Sequence, residues 1–347
     1  MLKLSPLDAE HRALGAKMGA FAGWDMPISY TGTVAEHMAV RENVGIFDVS
    51  HLGKLLVRGD GGDQFLDAQL SNRMIGLEQG RARYTLILDD DGGIIDDLIV
   101  YAIGPQEWLV VPNASNRDAV AARLAEHAEV LDWTTLAVQG PRAPEIVEAL
   151  YPFAKGLGYM HVAREGDLVI ARSGYTGERG YEVFSTAADA SATWATLHEA
   201  VAAAGGMACG LAARDTLRLE MGYPLHGNDI DRSTTPDEAG LMWAVALKER
   251  DFIGADAVRA HTARKRLVGL RALDRAIPRH GYAVSRNGAK IGECTSGTFS
   301  PVLKLGIALA YVDPGSVVEG DHVTVDVRGK EAQFEVVKPP FVPSSPR

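Results

Sequence analysis

The chain has few of the residues and segments that mark several common protein classes. Only two of its 347 residues are cysteines, Cys209 and Cys294, and they form no Cys-x-x-Cys pair. This excludes a zinc ribbon and favours two buried free thiols in a reducing compartment. No run approaches the roughly 20 apolar residues of a membrane span, and the first residues carry no basic-then-apolar signal. The sequence therefore predicts a cytoplasmic protein without membrane association.

Positive charge is also scarce, because 35 Lys and Arg residues stand against 45 Asp and Glu residues, a net charge of −10. Such a chain is poorly suited to the phosphate backbone, so no nucleic-acid partner is expected. Walker phosphate loops, His-Glu-x-x-His motifs and Gly-x-Ser-x-Gly elbows are missing as well, and no metal is expected. Asp48, Ser50 and His51 are too close along one strand to form a catalytic triad.

The chain is long enough for two or three domains, and 46% of its residues are hydrophobic, as in ordinary globular proteins. Strands alternate with helices but lack a strict βαβ rhythm, which indicates an α+β fold. The span from about 52 to 135 has the pattern of a unit of its own. From residue 267 onward, short strands separated by turns predict a small β-barrel or sandwich.

Residues 92–101 are the most informative segment, since two carboxylates lie side by side within an apolar β run. Aspartate is depleted in strands, and an unpaired buried carboxylate is costly. A strand candidate at 84–88 and a polar turn precede the run, which predicts a β-hairpin. Because side chains alternate, Asp97 shares a face with Tyr101 and Asp96 lies on the other face. Either the pair has a function, or both are edge-strand charges that discourage aggregation.

Residues 174–182 contain three glycines in seven residues, flanked by Tyr175 and Glu182. This predicts a tight loop in which the backbone approaches a neighbour closely. A carboxylate can accept paired hydrogen bonds from an amino group and an adjacent ring N–H, as in guanine and pterins. The alternative is an ordinary hairpin turn.

A helix is predicted over 210–221, and helical spacing places Arg214 and Arg218 on one apolar face. An arginine in this position is either a buried ion-pair partner or a ligand clamp. The sequence leaves both interpretations open for each arginine.

Taken together, these segments resemble the glycine cleavage T-protein family of aminomethyltransferases. The resemblance runs nearly end to end, and nine motifs in this order make it specific. They are Phe21–Pro27, Gly45–His51, the 92–101 hairpin, Val138–Pro141, Gly174–Glu178, Ala213–Glu220, Gly227–Asp231, Asp251–Gly254 and Thr295–Pro301.

The resemblance implies an α+β, three-domain, folate-binding fold with a C-terminal β-barrel domain. The first domain would be split between residues 1–50 and 135–262, the second would be the 51–134 insert, and the third would span 263–347. Tetrahydrofolate would lie in the central cavity between them, since ligands favour domain interfaces.

The resemblance also implies a reaction. The family takes an aminomethyl group from the lipoyl arm of H protein and passes the one-carbon unit to tetrahydrofolate, releasing ammonia. No metal is needed. The second carboxylate of the hairpin, Asp97, matches the catalytic residue, which would stabilise an iminium-like cation and orient the attacking nitrogen. The matching folate-site positions are Tyr84, Tyr101, Asn113, Tyr175, Glu182 and Arg214. No site residue is assigned to the proline-rich tail that begins at Lys338.

Two other activities occur on the same fold. A tetrahydrofolate-dependent demethylase would act on a small methylated donor, and an accessory protein would bind folate without catalysis. The intact Asp96-Asp97 pair and the complete 174–182 loop argue against the accessory role. Nothing in the chain resembles the dinucleotide-binding half of the flavin enzymes that carry this domain.

Overall fold

The structure, a computed structural model, describes residues 1–248 and 250–346, and its internal contacts divide the chain into two units. The first unit comprises Met1–Ile87, Ile95–Arg214 and the residues from Ser345 onward, and the second comprises Leu88–Ile94 and Asp215–Ser344. The three-domain division that the resemblance implies stays a prediction.

Helices and strands occur throughout both units. The α-helices are α1 (Asp8–Ala13), α2 (Thr33–Glu42), α3 (Gly62–Gln69), α4 (Arg117–Leu124), α5 (Ala143–Leu150), α6 (Ala190–Ala203), α7 (Leu211–Glu220) and α8 (Ala255–Ala260). The strands are β1 (Lys3–Leu4), β2 (Lys17–Phe21), β3 (Trp24–Ser29), β4 (Gly45–Asp48), β5 (Leu55–Arg58), β6 (Ala82–Leu88), β7 (Ile94–Gly104), β8 (Glu107–Val111), β9 (Ala128–Val130), β10 (Trp133–Gln139), β11 (Val162–Glu165), β12 (Leu168–Ala171), β13 (Gly180–Thr186), β14 (Met207–Ala208), β15 (Arg266–Ala272), β16 (Ala283–Arg286), β17 (Ala289–Ser300), β18 (Leu305–Val312), β19 (His322–Val327) and β20 (Lys330–Val337).

The first unit contains a six-stranded sheet in the order β11-β12-β13-β10-β4-β14. One face of this sheet is covered by α5 and α6, and their shared core includes Tyr181 and Val183 of β13. Because side chains alternate along a strand, Glu182 and Phe184 point to the opposite face.

A five-stranded sheet in the order β6-β7-β8-β5-β9 lies against that opposite face. Its outer side packs on α3 and α4 through Leu98 and Val100, among others. Its inner side contributes Tyr101 to a cluster with Phe184 of the six-stranded sheet. Since β7 alternates, Asp97 lies on the same inner side as Tyr101, so Asp97 and Glu182 occupy two sheet faces that pack together.

The N-terminal segment forms a third sheet, in the order β1-β3-β2. Sequence patterns at Ala22–Pro27 indicate only a glycine- and proline-containing entry, yet β3 runs through Pro27. Proline is tolerated because Met18 pairs with Pro27 at a register shift, where the ladder is already irregular.

The second unit contains a closed barrel in the order β15-β18-β17-β16-β19-β20. Alternate valine, alanine and phenylalanine side chains fill its interior, as expected for a small closed barrel. This confirms the predicted α+β class with a C-terminal β-barrel. Both cysteines are free and buried, as predicted. No helix among the described residues is long and apolar enough to span a membrane.

Asp48, at the end of β4, anchors the N-terminal segment of the first unit. Its buried carboxylate accepts hydrogen bonds from Ser5 Oγ at 2.5 Å, His11 Nε2 at 2.8 Å and the Ser50 backbone N–H at 2.8 Å. Burial alone would raise the pKa of Asp48, but the His11 contact and the hydroxyl and amide donors lower it to about 2. The network therefore favours the ionised carboxylate. The histidine that contacts Asp48 is His11, so Asp48, Ser50 and His51 do not form a nucleophilic triad.

Asp48→Asn is expected to lower the free energy of unfolding by about 2–4 kcal/mol at pH 7, because it removes the charge and turns an amide nitrogen towards at least one of the three buried donors. A carboxylate whose pKa is lower in the folded state stabilises the fold at pH values above its unfolded-state pKa. This stabilisation is lost as the pH falls towards the folded-state pKa. The difference between wild type and variant should therefore shrink between about pH 4 and about pH 2. Urea unfolding at several pH values measures it, and a constant difference would contradict this account.

Candidate active site

Two neighbouring carboxylates on β7 form the centre of the candidate site, and they differ in burial. Asp96 is 0% exposed, whereas Asp97 is half-buried. Burial first, and then the charge of Asp97, raise the pKa of Asp96 to about 7, although amide donors act in the opposite direction. The enclosed member of the pair, which the sequence pattern leaves open, is Asp96, and Asp97 is the one that a ligand can reach.

Asn113 holds both carboxylates. The antiparallel register pairs Ile99 with Val111, which places Asn113 across from Asp97 just beyond the ladder. Its Nδ2 donates to Asp96 Oδ1 at 2.8 Å and to Asp97 Oδ1 at 2.8 Å, and it lies 2.9 Å from the Asp97 carbonyl oxygen. The Asn113 amide group therefore donates its hydrogen bonds to the two aspartates.

Tyr84, on the neighbouring strand β6, donates its hydroxyl to Asp97 Oδ2 at 2.9 Å. Burial, together with the charge of Asp97, raises the pKa of Tyr84 well above its ordinary value. The phenol therefore stays protonated and remains a donor at neutral pH. Asp97 is held from both sides, through Oδ1 by Asn113 and through Oδ2 by Tyr84.

Tyr101 connects the carboxylate pair's strand with the facing sheet. Its hydroxyl donates to Glu182 Oε2 at 2.9 Å, and Ser173 Oγ donates to the same oxygen at 2.5 Å. Burial raises the pKa of Tyr101 well above its ordinary value, and the Glu182 charge acts in the same direction. Among the described residues, no hydrogen bond reaches the second oxygen, Glu182 Oε1, which leaves it available to a ligand.

The loop between β12 and β13 carries Tyr175 and is tight, as predicted. A Cβ atom at Gly174 would lie 2.0 Å from Gln139 Oε1, and one at Gly180 would lie 2.3 Å from Gln139 Nε2. The buried Gln139 side chain donates to the Ser173 carbonyl at 3.0 Å and accepts from Thr176 Oγ1 at 2.8 Å. Only glycine lets the loop close around this amide, which positions Tyr175.

Arg214, at the middle of α7, lies over the Tyr175 ring, with 4.9 Å between its guanidinium carbon and the ring centroid. Its Nη1 is buried and has no hydrogen-bond partner in the structure. Burial lowers the pKa of Arg214, and the neighbouring Glu182 acts against this. A buried guanidinium nitrogen without an acceptor is costly, so Arg214 has the features of a ligand clamp.

The structure therefore brings the seven predicted site residues into one region of the first unit. Asp97, Tyr84 and Asn113 form one hydrogen-bonded set, and Tyr101 and Glu182 form a second. Tyr175 and Arg214 form a stacked pair whose members lie within electrostatic range of Tyr84 and of Glu182. Their roles in binding and catalysis remain proposals.

Several neighbouring residues were not predicted from the sequence. Arg41 Nη1 donates to the Thr176 carbonyl at 2.6 Å and to Glu178 Oε1 at 2.8 Å, and so supports the glycine-rich loop. In the proline-rich tail, the Ser345 backbone N–H donates to the Gly177 carbonyl at 3.0 Å. These partners are more than 130 residues apart in the chain, and no short-range pattern reports such contacts.

His51 was also not predicted to lie near the site. Burial lowers the pKa of its ring to about 3, and the charges of Arg214 and Lys54 act in the same direction against that of Asp48. The ring is therefore neutral at physiological pH. Its buried Nδ1 has no hydrogen-bond partner among the residues that the structure describes, and its ring packs edge-on against Phe21, with 5.4 Å between the ring centroids.

The arrangement as a whole suits transfer of a small cationic group. A carboxylate that two donors hold in place can stabilise positive charge that develops beside it. A second carboxylate and a guanidinium on the facing side offer one acceptor and one donor to a polar heterocycle. No group of three or more His, Cys, Asp or Glu residues within residues 1–248 and 250–346 is arranged to hold a metal ion.

Comparison with known families and proteins gives consistent matches over the whole chain. Residues 7–249 match the GCVT N-terminal domain, and residues 265–343 match the glycine cleavage T-protein C-terminal barrel domain. The aminomethyltransferase of Frankia alni is 49% identical over 100% of this chain and 99% of its own length. That of Mycobacterium avium is 44% identical over 97% of this chain and 96% of its own.

A solved structure agrees with these matches. The glycine cleavage system aminomethyltransferase T from Bartonella henselae superposes with a TM-score of 0.93 at 36% identity, covering 99% of this chain and 98% of that one. These findings confirm the predicted family, fold and aminomethyltransferase activity. The chain belongs to the glycine cleavage T-protein family of aminomethyltransferases.

Proposed function

We propose that the chain transfers the one-carbon unit of an aminomethyl-loaded lipoyl arm, carried by H protein, to tetrahydrofolate, which releases ammonia and leaves the arm in its dihydrolipoyl form. Asp97 is the catalytic residue in this proposal. Tyr84, Tyr101, Asn113, Tyr175, Glu182 and Arg214 form or support the tetrahydrofolate site. The family membership supports the reaction class, and the contacts described above support the assignment of each residue.

One observation carries the proposed substrate site. Two polar atoms, Glu182 Oε1 and the buried Arg214 Nη1, have no hydrogen bonds with the described residues, and their residues lie within electrostatic range of each other. One is an acceptor and the other a donor, on a site also lined by the Tyr175 ring. A pterin ring offers an amino edge to a carboxylate and a carbonyl to a guanidinium, and its flat face can lie against an aromatic ring. The residues therefore fit tetrahydrofolate.

Tetrahydrofolate supplies the nitrogen that accepts the one-carbon unit, and the chain supplies the charge next to it. Positive charge develops on that unit as ammonia leaves, and Asp97 stabilises it electrostatically. Because Asn113 and Tyr84 already hold the carboxylate, no reorganisation is needed during the reaction. Asp97 acts mainly through its charge and position, and proton transfer is secondary.

A turnover assay tests the reaction. Purified protein is mixed with tetrahydrofolate and aminomethyl-loaded H protein, and methylene-tetrahydrofolate and ammonia are followed together. We expect formation of both products to depend on both substrates. Binding of tetrahydrofolate without turnover would contradict the proposed aminomethyl donor and would favour the demethylase or the accessory role.

Glu182→Gln is expected to weaken tetrahydrofolate binding by about 10- to 100-fold, because a hydrogen bond to a charged acceptor contributes about 1.5–3 kcal/mol. The variant keeps the size of the side chain, and its amide still matches the hydroxyl groups of Tyr101 and Ser173. The turnover rate at saturating tetrahydrofolate should change much less. Isothermal calorimetry and the KM for tetrahydrofolate measure the effect.

Glu148→Gln provides the matched control. Glu148 accepts a hydrogen bond from the Tyr181 hydroxyl at 2.7 Å, and Tyr181 faces the helices rather than the opposing sheet. This variant should bind tetrahydrofolate as the wild type does. Equal affinity of the wild type and Glu182→Gln would contradict the assignment of Glu182 to the pterin edge.

H protein as the partner and the cytoplasm as the location are proposals as well. The family supports the first, since its activity belongs to the glycine cleavage system. The second rests on sequence composition alone. Co-sedimentation of the chain with lipoylated H protein, compared with the unlipoylated form, would test the partner directly.

A further inference from the structure

Asp96 is a buried carboxyl group that the proposed reaction does not use. It is 0% exposed, and it accepts hydrogen bonds from the Asn113 backbone N–H at 2.9 Å, Asn113 Nδ2 at 2.8 Å and Asn116 Nδ2 at 2.6 Å. All three donors are neutral amides, and they come from the segment that follows β8. Burying a carboxylate among neutral donors costs more desolvation free energy than burying a neutral acceptor, which could hold the same turn.

The neighbouring charge adds to that cost. Asp97 is the next residue along β7 and points to the other face, and its charge disfavours ionisation of Asp96. Two like charges this close destabilise the fold, and such arrangements cluster at functional sites. The position of Asp96 therefore indicates a role in the chemistry as well as in the fold.

The Asn113 side chain links the two carboxylates. Its Nδ2 carries two hydrogens, and they are divided between Asp96 Oδ1 and the Asp97 residue. Asp96 also accepts a hydrogen bond from the Asn113 backbone N–H, so one carboxylate fixes both the backbone and the side chain of Asn113. Without Asp96, the amide group could rotate away, and Asp97 would keep only the Tyr84 hydroxyl of the two side-chain donors described above.

We propose that Asp96 is a positioning residue for the transfer reaction, which holds the Asn113 amide in the orientation that fixes the Asp97 carboxylate beside the reacting carbon. Asn116 supports Asp96 in this role. The proposal rests on the proposed function of Asp97. It assigns Asn113 to the support of the carboxylates, in addition to its place at the edge of the substrate site.

Asp96→Asn tests the proposal. Whichever carboxylate oxygen its amide nitrogen replaces, that nitrogen faces a donor of Asn113, either the backbone N–H or Nδ2, so Asn113 must shift. We expect kcat to fall by about 10- to 100-fold, as for a misplaced catalytic group, while the KM for tetrahydrofolate stays within about twofold. A crystal structure of the variant should show the Asn113 Nδ2 to Asp97 Oδ1 hydrogen bond broken. This second readout does not depend on turnover.

Asp67→Asn is the matched control. Asp67 is another buried carboxylate of the first unit, and it accepts hydrogen bonds from the backbone N–H groups of Met74 at 2.5 Å and Ile75 at 3.1 Å. Its loss should lower the thermal stability and leave kcat within about twofold of the wild type. If Asp96→Asn does not fold, Asn116→Ala replaces it, since it removes one side-chain donor to Asp96 and keeps the backbone hydrogen bond from the Asn116 N–H to the Asn113 carbonyl. Its expected loss of kcat is about 3- to 10-fold.

The outcomes separate this inference from the proposed function. A folded Asp96→Asn or Asn116→Ala variant with kcat within twofold of the wild type would overturn the positioning role, even if Asp97→Asn is inactive. A loss of kcat with the Asn113–Asp97 hydrogen bond unchanged in the crystal structure would overturn the route through Asn113. Inactivity of the wild-type chain would instead refute the proposed function, and the crystal structure of Asp96→Asn would still decide whether Asp96 orients Asn113.

Discussion

Asp97→Asn is expected to lower kcat by about 100- to 1,000-fold, the range observed when one preorganised electrostatic contact is removed from an active site. The substitution keeps the size of the side chain and removes the negative charge that we propose lies beside the reacting carbon. The KM for tetrahydrofolate should change by less than about threefold, because the groups proposed to bind the pterin, Tyr175, Glu182 and Arg214, belong to other elements than β7. Steady-state kinetics with aminomethyl-loaded H protein measures both quantities.

Asp91→Asn is the control for this experiment. Asp91 is an exposed carboxylate in the turn of the same hairpin, so its neutralisation alters the net charge by the same amount and should leave kcat unchanged. Circular dichroism would show whether both variants are folded. A folded Asp97→Asn variant with near wild-type turnover would exclude Asp97 as the catalytic residue.

The second large effect concerns stability. Arg218, on α7, is 2% exposed and holds several parts of the second unit together. It donates to Asp215 Oδ1 at 2.8 Å, Asp229 Oδ2 at 2.7 Å, Ser296 Oγ at 2.8 Å and the Tyr223 carbonyl at 3.0 Å. Arg218→Met is expected to cost about 3–5 kcal/mol in the free energy of unfolding, because it leaves the buried Asp229 without its cation.

Urea unfolding of the second unit, followed by a probe in the barrel, measures this loss. Arg264→Met is the control, because the Arg264 side chain is 75% exposed and only its Nε lies 3.7 Å from Glu238; its loss should cost less than about 0.5 kcal/mol. Adding Asp229→Asn to Arg218→Met should restore part of the stability, since the uncompensated charge is then gone. A loss below about 1 kcal/mol for Arg218→Met would contradict the central role of this arginine.

Local patterns were sufficient to predict the elements that carry the site. The hairpin predicted from 84–88 and 92–101 is present as β6 and β7, and the 210–221 helix is α7. Strand alternation also placed Asp97 on the face of Tyr101, because a period of two depends only on the strand being extended. The tight 174–182 loop followed from its glycines.

Other features depended on contacts between distant segments. Arg214 and Arg218 are one helical turn apart and equivalent in pattern. The Arg214 guanidinium lies over Tyr175, and its Nη1 has no hydrogen-bond partner among the described residues, whereas Arg218 forms ion pairs with Asp215 and Asp229. Which of the two has the features of a clamp depends on what packs against each of them, and helical periodicity contains no information about that.

The sequence by itself determined the family, the α+β class with its barrel, and the carboxylate pair, because these follow from ordered motifs and from local periodicity. Only the tertiary structure decided that Asp96 is the enclosed carboxylate, that Asn113 joins it to Asp97, and that Glu182 and Arg214 each have one polar atom without a hydrogen bond from the described residues. The reason is physical. Burial and hydrogen-bond partners are set by segments that meet across facing sheets, and the free energy of a charge depends on those surroundings rather than on its neighbours in the chain.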